Sequence, residues 1–142
     1  MMQKTAAVRY FSKGGHTKAV AEAIAGALGI EAKPIAEPLE EHVDILFLGA
    51  SVYWGGLSKE VKDYIKGLDR NMMNTVAVFS TSGMAERAFP QMSKLIAEAG
   101  IGVESVDFYC RGQFMGMNKG RPNGDDLKAA AEYAKNMTQE LA

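Results

Sequence analysis

The chain has 142 residues, 47% of them hydrophobic and 23% charged, which suits one domain (1–142) with a substantial buried core. A net charge of −1 excludes the basic excess of a general nucleic-acid binder. No apolar run approaches the roughly 18 residues of a transmembrane candidate, no signal-peptide pattern precedes the first strand, and Cys110 is the lone cysteine, so a cytoplasmic location is expected.

Taken in order, the chain alternates strand and helix patterns. Thr5 to Phe11 is an apolar run and predicts the first strand. Val20, Ile24, Ala27 and Leu28 repeat at helical spacing, and Gly29 stops that helix. Ile30 to Ile35 is short and half apolar, as suits an edge strand, and Pro34 and Pro38 then bracket a polar stretch through Glu40, Glu41 and His42. Val43 to Gly49 is apolar at nearly every position, the pattern of a central parallel strand buried on both faces. The link between these strands is about seven residues, shorter than a parallel crossover usually needs. Either a helix there has shrunk to one turn around Leu39, or the second strand lies elsewhere.

The second half is more regular. Leu57, Val61, Tyr64, Ile65 and Leu68 mark a helix with Ser58 near its start, and Val76 to Phe79 marks a fourth strand. Phe89, Met92, Leu95, Ile96 and Ala99 mark the next helix, closed by Gly100. Val103 to Cys110 predicts a fifth strand, and Asp125 or Asp126 caps a last helix carrying Leu127, Ala131, Ala134, Met137 and Leu141. Five strands alternating with helices predict a parallel α/β sheet covered on both faces, with ligands beyond the carboxyl ends of the strands.

The functional loops therefore follow strands. The first is Ser12, Lys13, Gly14, Gly15, His16 and Thr17, a strand-to-helix turn in which unpaired amides, the positive helix end and adjacent glycines suit an anion. Ser12 and Thr17 add hydroxyl donors. The run matches neither the P-loop pattern nor the dinucleotide fingerprint, which argues against a nucleoside triphosphate or NAD at this turn. The second loop runs Ser51, Val52, Tyr53, Trp54, Gly55, Gly56; the third is Ser80, Thr81, Ser82, Gly83; the last is Cys110, Arg111, Gly112 with Gln113 and Phe114. Together they describe a pocket with an anion-binding end and an aromatic wall. Two distant histidines and one cysteine, without paired ligand spacing, give no metal site.

These residues resemble a short-chain flavodoxin along essentially the whole chain. The family's phosphate loop reads roughly [ST]-x-T-G-x-T; Ser12, Gly15 and Thr17 match it, while Gly14 stands where a second hydroxyl is usual. The resemblance implies the flavodoxin-like doubly wound five-stranded sheet, order 2-1-3-4-5, and FMN as cofactor. It also implies that Tyr53 or Trp54 stacks on the flavin ring and that Ser80 to Gly83 enclose its other side. Gly55 and Gly56 either let the backbone beside the ring reorient on reduction or simply make a tight turn. Tyr53 and Trp54 have core packing as their alternative reading, and His16 either contacts phosphate or starts the helix exposed. Cys110 either tunes the flavin or is a small buried thiol. Phe114, Met115 and Met117 form an apolar lip for a partner or cover the sheet edge.

Two functions are consistent with this reading, and a third of a different class is disfavoured. The first is an FMN-binding protein that carries electrons between redox partner proteins. The second is an FMN-dependent oxidoreductase on the same fold, like quinone reductases or the protoporphyrinogen oxidases whose loop Gly49 to Tyr53 resembles. The third, a response-regulator domain, needs a phosphorylatable Asp ending strand three, where this chain has Ala50 and Ser51. The loops of the expected pocket carry Lys13, Lys18, Arg87, Arg111, Lys119 and Arg121 against Glu86 and the distal Asp125 and Asp126, so either a basic rim eases the second reduction step or these are solvated surface charges that point away.

Overall fold

The structure is a computed structural model that describes residues 4–13, 15–51, 56–82, 88–112 and 120–139. In chain order its elements are β1 (Ala6–Tyr10), α1 (His16–Leu28), β2 (Ala32–Pro34), β3 (Val43–Ser51) and α2 (Lys59–Lys66). They continue through β4 (Met73–Ser82), α3 (Phe89–Glu98), β5 (Gly102–Val103), β6 (Phe108–Arg111) and α4 (Gly124–Thr138). All pairings are parallel, in the order β2-β1-β3-β4 with β5 and β6 both on the outer side of β4. The flavodoxin-like order expected from the sequence is therefore present.

Alternation along the central strands supplies two apolar layers. Ile45, Phe47, Ala77 and Phe79 face α1 and α4, where they meet Val20, Ile24, Ala130, Tyr133 and Ala134. Leu46, Leu48, Val76 and Val78 face the opposite way, onto Val61, Ile65, Met92 and Ile96 of α2 and α3. Crossovers of one hand require this division: the chain steps outward from β1 to β2 on one face and back through β3 and β4 on the other. Gly49 belongs to the first layer by having no side chain, since a Cβ there would lie 2.0 Å from the Phe79 ring.

Helix ends follow local chemistry. Gly29, at φ 70°, closes α1 while its N–H and that of Ile30 reach the carbonyls of Gly26 and Ala25, a Schellman pattern. Ser58 Oγ accepts from Val61 N, as its position in the sequence predicts. At α4 the cap is Asn123 rather than Asp125 or Asp126. Asn123 is extended and its Oδ1 accepts from Asp126 N, while Asp126 Oδ2 accepts from Asn123 N, a reciprocal capping box that occupies Asp126 one turn in. The buried stripe of α4 runs through Ala130, Tyr133, Ala134 and Thr138, with Leu127 and Met137 partly buried beside it; Ala131 sits at its flank and Leu141 lies outside the described residues.

The predicted fifth strand is two short strands. β4 advances three residues from Val76 to Phe79, whereas its neighbour advances five, from Val103 to Phe108. An excess of two residues keeps the inward-outward alternation, so Phe108 and Cys110 still face the core. Tyr133 pins the break: its hydroxyl donates to Val106 O at 2.7 Å and its ring meets Phe47 edge-on at 6.1 Å.

The short link from β2 to β3 proves to be a crossover without a helix. One turn closes from Glu37 N to Pro34 O, and Ile35 and Leu39 pack partly buried on the α2 and α3 side of the sheet. A helix would satisfy its own backbone; here Arg9 of β1 does so from below. It is 5% exposed, and its Nε and Nη2 donate to Glu37 O and Pro38 O at 2.8 and 3.0 Å while Nη1 donates to Val8 O at 3.0 Å. Arg9→Ala removes these charge-assisted donors from the crossover and is expected to lower stability by about 3 kcal/mol, read as a drop in the urea midpoint. Arg9→Lys, which keeps the charge but loses the fork, should recover less than half; a midpoint unchanged in Arg9→Ala would show that the crossover does not depend on the guanidinium.

Candidate functional site

The carboxyl ends of β1, β3, β4 and β6 all lie at one end of the sheet, so the segments singled out in the sequence converge there. Phe11 N donates to Gly49 O, which keeps the turn after β1 beside β3. Ser12 Oγ then accepts from Gly15 N at 3.0 Å, and Gly15 precedes α1 at φ 86°, a left-handed conformation that a side chain would strain. Among the described residues, a Cβ at Gly15 would meet nothing within 4 Å. Gly15 at the N-cap offers no side chain to cap α1, and the first turn carries no acidic residue.

Thr17 points into the protein. It is fully buried, and its Oγ1 lies 2.6 Å from Ser51 Oγ and 2.8 Å from Thr81 Oγ1; the last two are 3.1 Å apart. Ser51 and Thr81 are paired residues at the ends of β3 and β4, and both stand on the α1 side of the sheet. The three hydroxyls form a ring above the Phe79 side of the core.

Other residues take separate places. Ser80 is fully buried and its Oγ accepts from Ala88 N at 3.4 Å, tying β4 to the start of α3. Ser82 is buried, and its carbonyl accepts from Gly112 N at 3.1 Å. Gly112 lies against α1: a Cβ there would stand 3.2 Å from His16 Cβ and 3.3 Å from its Cγ. That close approach brings the segment after β6 onto the first residue of α1. Gly56, at φ 94°, is held from α3, where Gln91 Oε1 accepts from Leu57 N at 3.2 Å. Gln91 was not singled out in the sequence, because a glutamine in a helix carries no positional signal. Lys13 and Lys18 are exposed and Arg111 is half-buried. Gly14, Val52, Tyr53, Trp54, Gly55 and Gly83 lie outside the described residues, as do Phe114, Met115, Met117 and the rim charges Glu86, Arg87 and Lys119.

One of the cations expected at the rim is compensated. Arg121 is paired with Asp126: its Nη2 donates to Asp126 Oδ1 at 2.8 Å and its Nε to Oδ2. The guanidinium holds the Asp126 carboxyl below the usual carboxylate range, so the charge of Arg121 is compensated where it stands.

Residues 7–101 match the Flavodoxin domain family, about two thirds of the chain, and the protein belongs to that family. A flavodoxin from the domain Archaea superposes with a TM-score of 0.77 at 17% identity, over 93% of this chain and 94% of that one. Oxidised flavodoxin 2 of Bacillus cereus gives 0.62 at 20% identity, over 92% and 95% of the two chains. Rubredoxin oxygen:oxidoreductase of Desulfovibrio gigas gives 0.68 at 14% identity, with 92% of this chain matching 34% of that one. In sequence, an uncharacterized protein of Methanocaldococcus jannaschii is 24% identical over 136 residues, 86% of this chain and 89% of that protein.

Cys110 is a core residue at this end of the sheet. It is 6% exposed and packs in the layer beneath α1 and α4. Burial first, and then the charge of Asp126, push its thiol up to about 12, against an opposing contribution from Arg121. The thiol is therefore protonated at neutral pH and a poor nucleophile. Iodoacetamide at neutral pH should label the native protein at least about a thousandfold more slowly than an ordinary free cysteine of pKa about 8.5, and label it fully in denaturant. Rapid labelling of the native protein would place the thiol in solvent instead.

Proposed function

We infer that this protein binds FMN at the turn after β1 and carries electrons between redox partner proteins. The observation that carries the reading is the start of α1: an N-cap glycine at φ 86°, no described atom within 4 Å of where its Cβ would stand, and no carboxylate in the first turn, in a chain of the flavodoxin family. Those features fit a phosphate. The unpaired first amides of α1 and the positive helix end would hold it, with Lys18 adjacent. Ser12, already accepting from Gly15 N, keeps its own proton for the anion.

FMN, when bound, supplies transfer of one or two electrons, and the protein sets where and how readily that occurs. Ser51, Val52, Tyr53, Trp54, Gly55 and Gly56 are proposed to flank one side of its ring, and Ser80, Thr81, Ser82 and Gly83 the other. Leu57 N donates to Gln91 Oε1, which ties the residue after Gly56 to α3. Cys110, Arg111 and Gly112 would approach only through backbone and the Arg111 side chain, because the Cys110 thiol lies in the core.

The purified protein mixed with FMN and desalted should keep one flavin per chain and quench its fluorescence. A colourless protein that leaves micromolar FMN fully fluorescent would overturn the assignment. Lys18 and Arg111 stand among the expected rim cations while Arg121 is compensated by Asp126, so the second reduction step should be less negative than in a flavodoxin with an acidic rim. A redox titration reads that directly, and an equally low second potential would contradict it. Turnover with NADPH and a quinone, without a partner protein, would make the protein an enzyme rather than a carrier.

A further inference from the structure

The opposite end of the sheet, where the strands begin, carries a cavity of about 150 Å³ lined by Lys4, Asp44, Ile45, Asn74, Thr75 and Glu104. Ile45 and Thr75 are paired residues of β3 and β4, and Ile45 packs in the layer under α1 and α4, so the cavity opens on that face. Backbone bonds fix its two flanks. Lys4 N donates to Thr138 O at the end of α4, and Glu104 N donates to Val76 O, both at 2.9 Å. Burial first, and then the charges of Asp107 and Glu104, push the Tyr133 phenol of α4 up, which puts the Glu104 charge on the α4 side of the sheet.

Two of the lining residues are already engaged. Asp44 Oδ2 accepts from Thr5 N at 2.9 Å and its Oδ1 from Asn74 Nδ2 at 3.2 Å, while Asn74 Oδ1 lies 3.0 Å from His42 Nε2. These contacts tie together the starts of β1, β3 and β4 and give the cavity a fixed lip. Lys4, Thr75 and Glu104 differ: they are half-buried, and among the described residues their side chains make no hydrogen bond or ion pair. An ammonium and a carboxylate thus border one small cavity without closing on each other, with a hydroxyl between the flanks. A ligand with a single charge answers only one of them, whereas a zwitterion answers both. Among the described residues no three His, Cys, Asp or Glu side chains converge as metal ligands.

We propose that this cavity binds a small zwitterion of the class of a free α-amino acid, with Glu104 accepting from its ammonium group, Lys4 donating to its carboxylate and Thr75 bonding to either. A cavity of this size holds a ligand of about six heavy atoms, which limits the class to its smallest members. The site lies at the other end of the sheet from the turn after β1 and does not depend on the assignment of FMN to that turn.

The test follows backbone amide resonances by NMR as glycine is added, with methylammonium and acetate, which each carry one of its two charges, as controls at matched ionic strength. Glycine should shift the amides of Thr5, Ile45, Thr75 and Glu104 saturably with a Kd of about 1 mM, as two partly solvated charge-assisted bonds allow. Methylammonium and acetate should each bind at least about tenfold more weakly. Glu104→Gln should weaken glycine about tenfold and leave acetate unchanged, and Lys4→Gln should weaken glycine equally and leave methylammonium unchanged. Both residues lie outside the two apolar layers, and the same spectra report that each variant is folded. No saturable shift at this end with about 50 mM glycine, acetate or methylammonium binding as well as glycine, or an unchanged glycine affinity in either variant would overturn the proposal. Glycine should bind equally with and without FMN; competition between them would place glycine at the other end of the sheet and overturn the site. A chain that takes up no FMN yet binds glycine as described would refute the flavin assignment alone.

Discussion

Parallel pairing of β3 with β4 is the constraint on which the rest of the molecule depends. Eight registered pairs run from Val43 and Met73 to Ser51 and Thr81, and nearly every side chain on these strands is buried. A parallel strand must be re-entered from its far end, so each pairing obliges the chain to cross the sheet. Those crossings cover both faces with apolar surface, and they leave every turn that follows a strand at the same end. The location of the site is thus a consequence of strand direction before any functional residue is considered.

The crossing from β2 to β3 shows how that obligation is met when the chain is too short for a helix. Irregular backbone laid on a sheet carries carbonyls that no helix or strand ladder pairs, and leaving a partly buried carbonyl unpaired is destabilising. Arg9 meets them with a planar fork of donors, a geometry that a lysine point charge does not reproduce. In sequence, Arg9 is a charge inside an apolar strand and reads as an anomaly. Its reason lies 28 and 29 residues away, in carbonyls of Glu37 and Pro38 that no local pattern identifies.

The same distinction separates what was legible in the sequence from what was not. The strands of the centre, the sheet order implied by the family resemblance and the convergence of the loops could be read, because runs such as Val43 to Gly49 report burial directly. The alternatives for the second crossover were also correctly framed: β2 is in place, and a single turn beside a half-buried Leu39 replaces the helix. The split of the edge into β5 and β6 was not readable, since a two-residue excess preserves the alternation by which a strand is recognised. Nor was the cap of α4, where Asn123, Asp125 and Asp126 are all competent and only backbone conformation selects among them.

At the site, residue type was a better guide to location than to role. Ser12, Thr17, Ser51, Ser80 and Thr81 were grouped as polar groups near a ligand, and all five stand at the expected end of the sheet. Yet the hydroxyls of Thr17 and Thr81 face one another, and that of Ser80 turns to the amide of Ala88. Burial without a partner would have been costly for each of them, so the protein satisfies them internally.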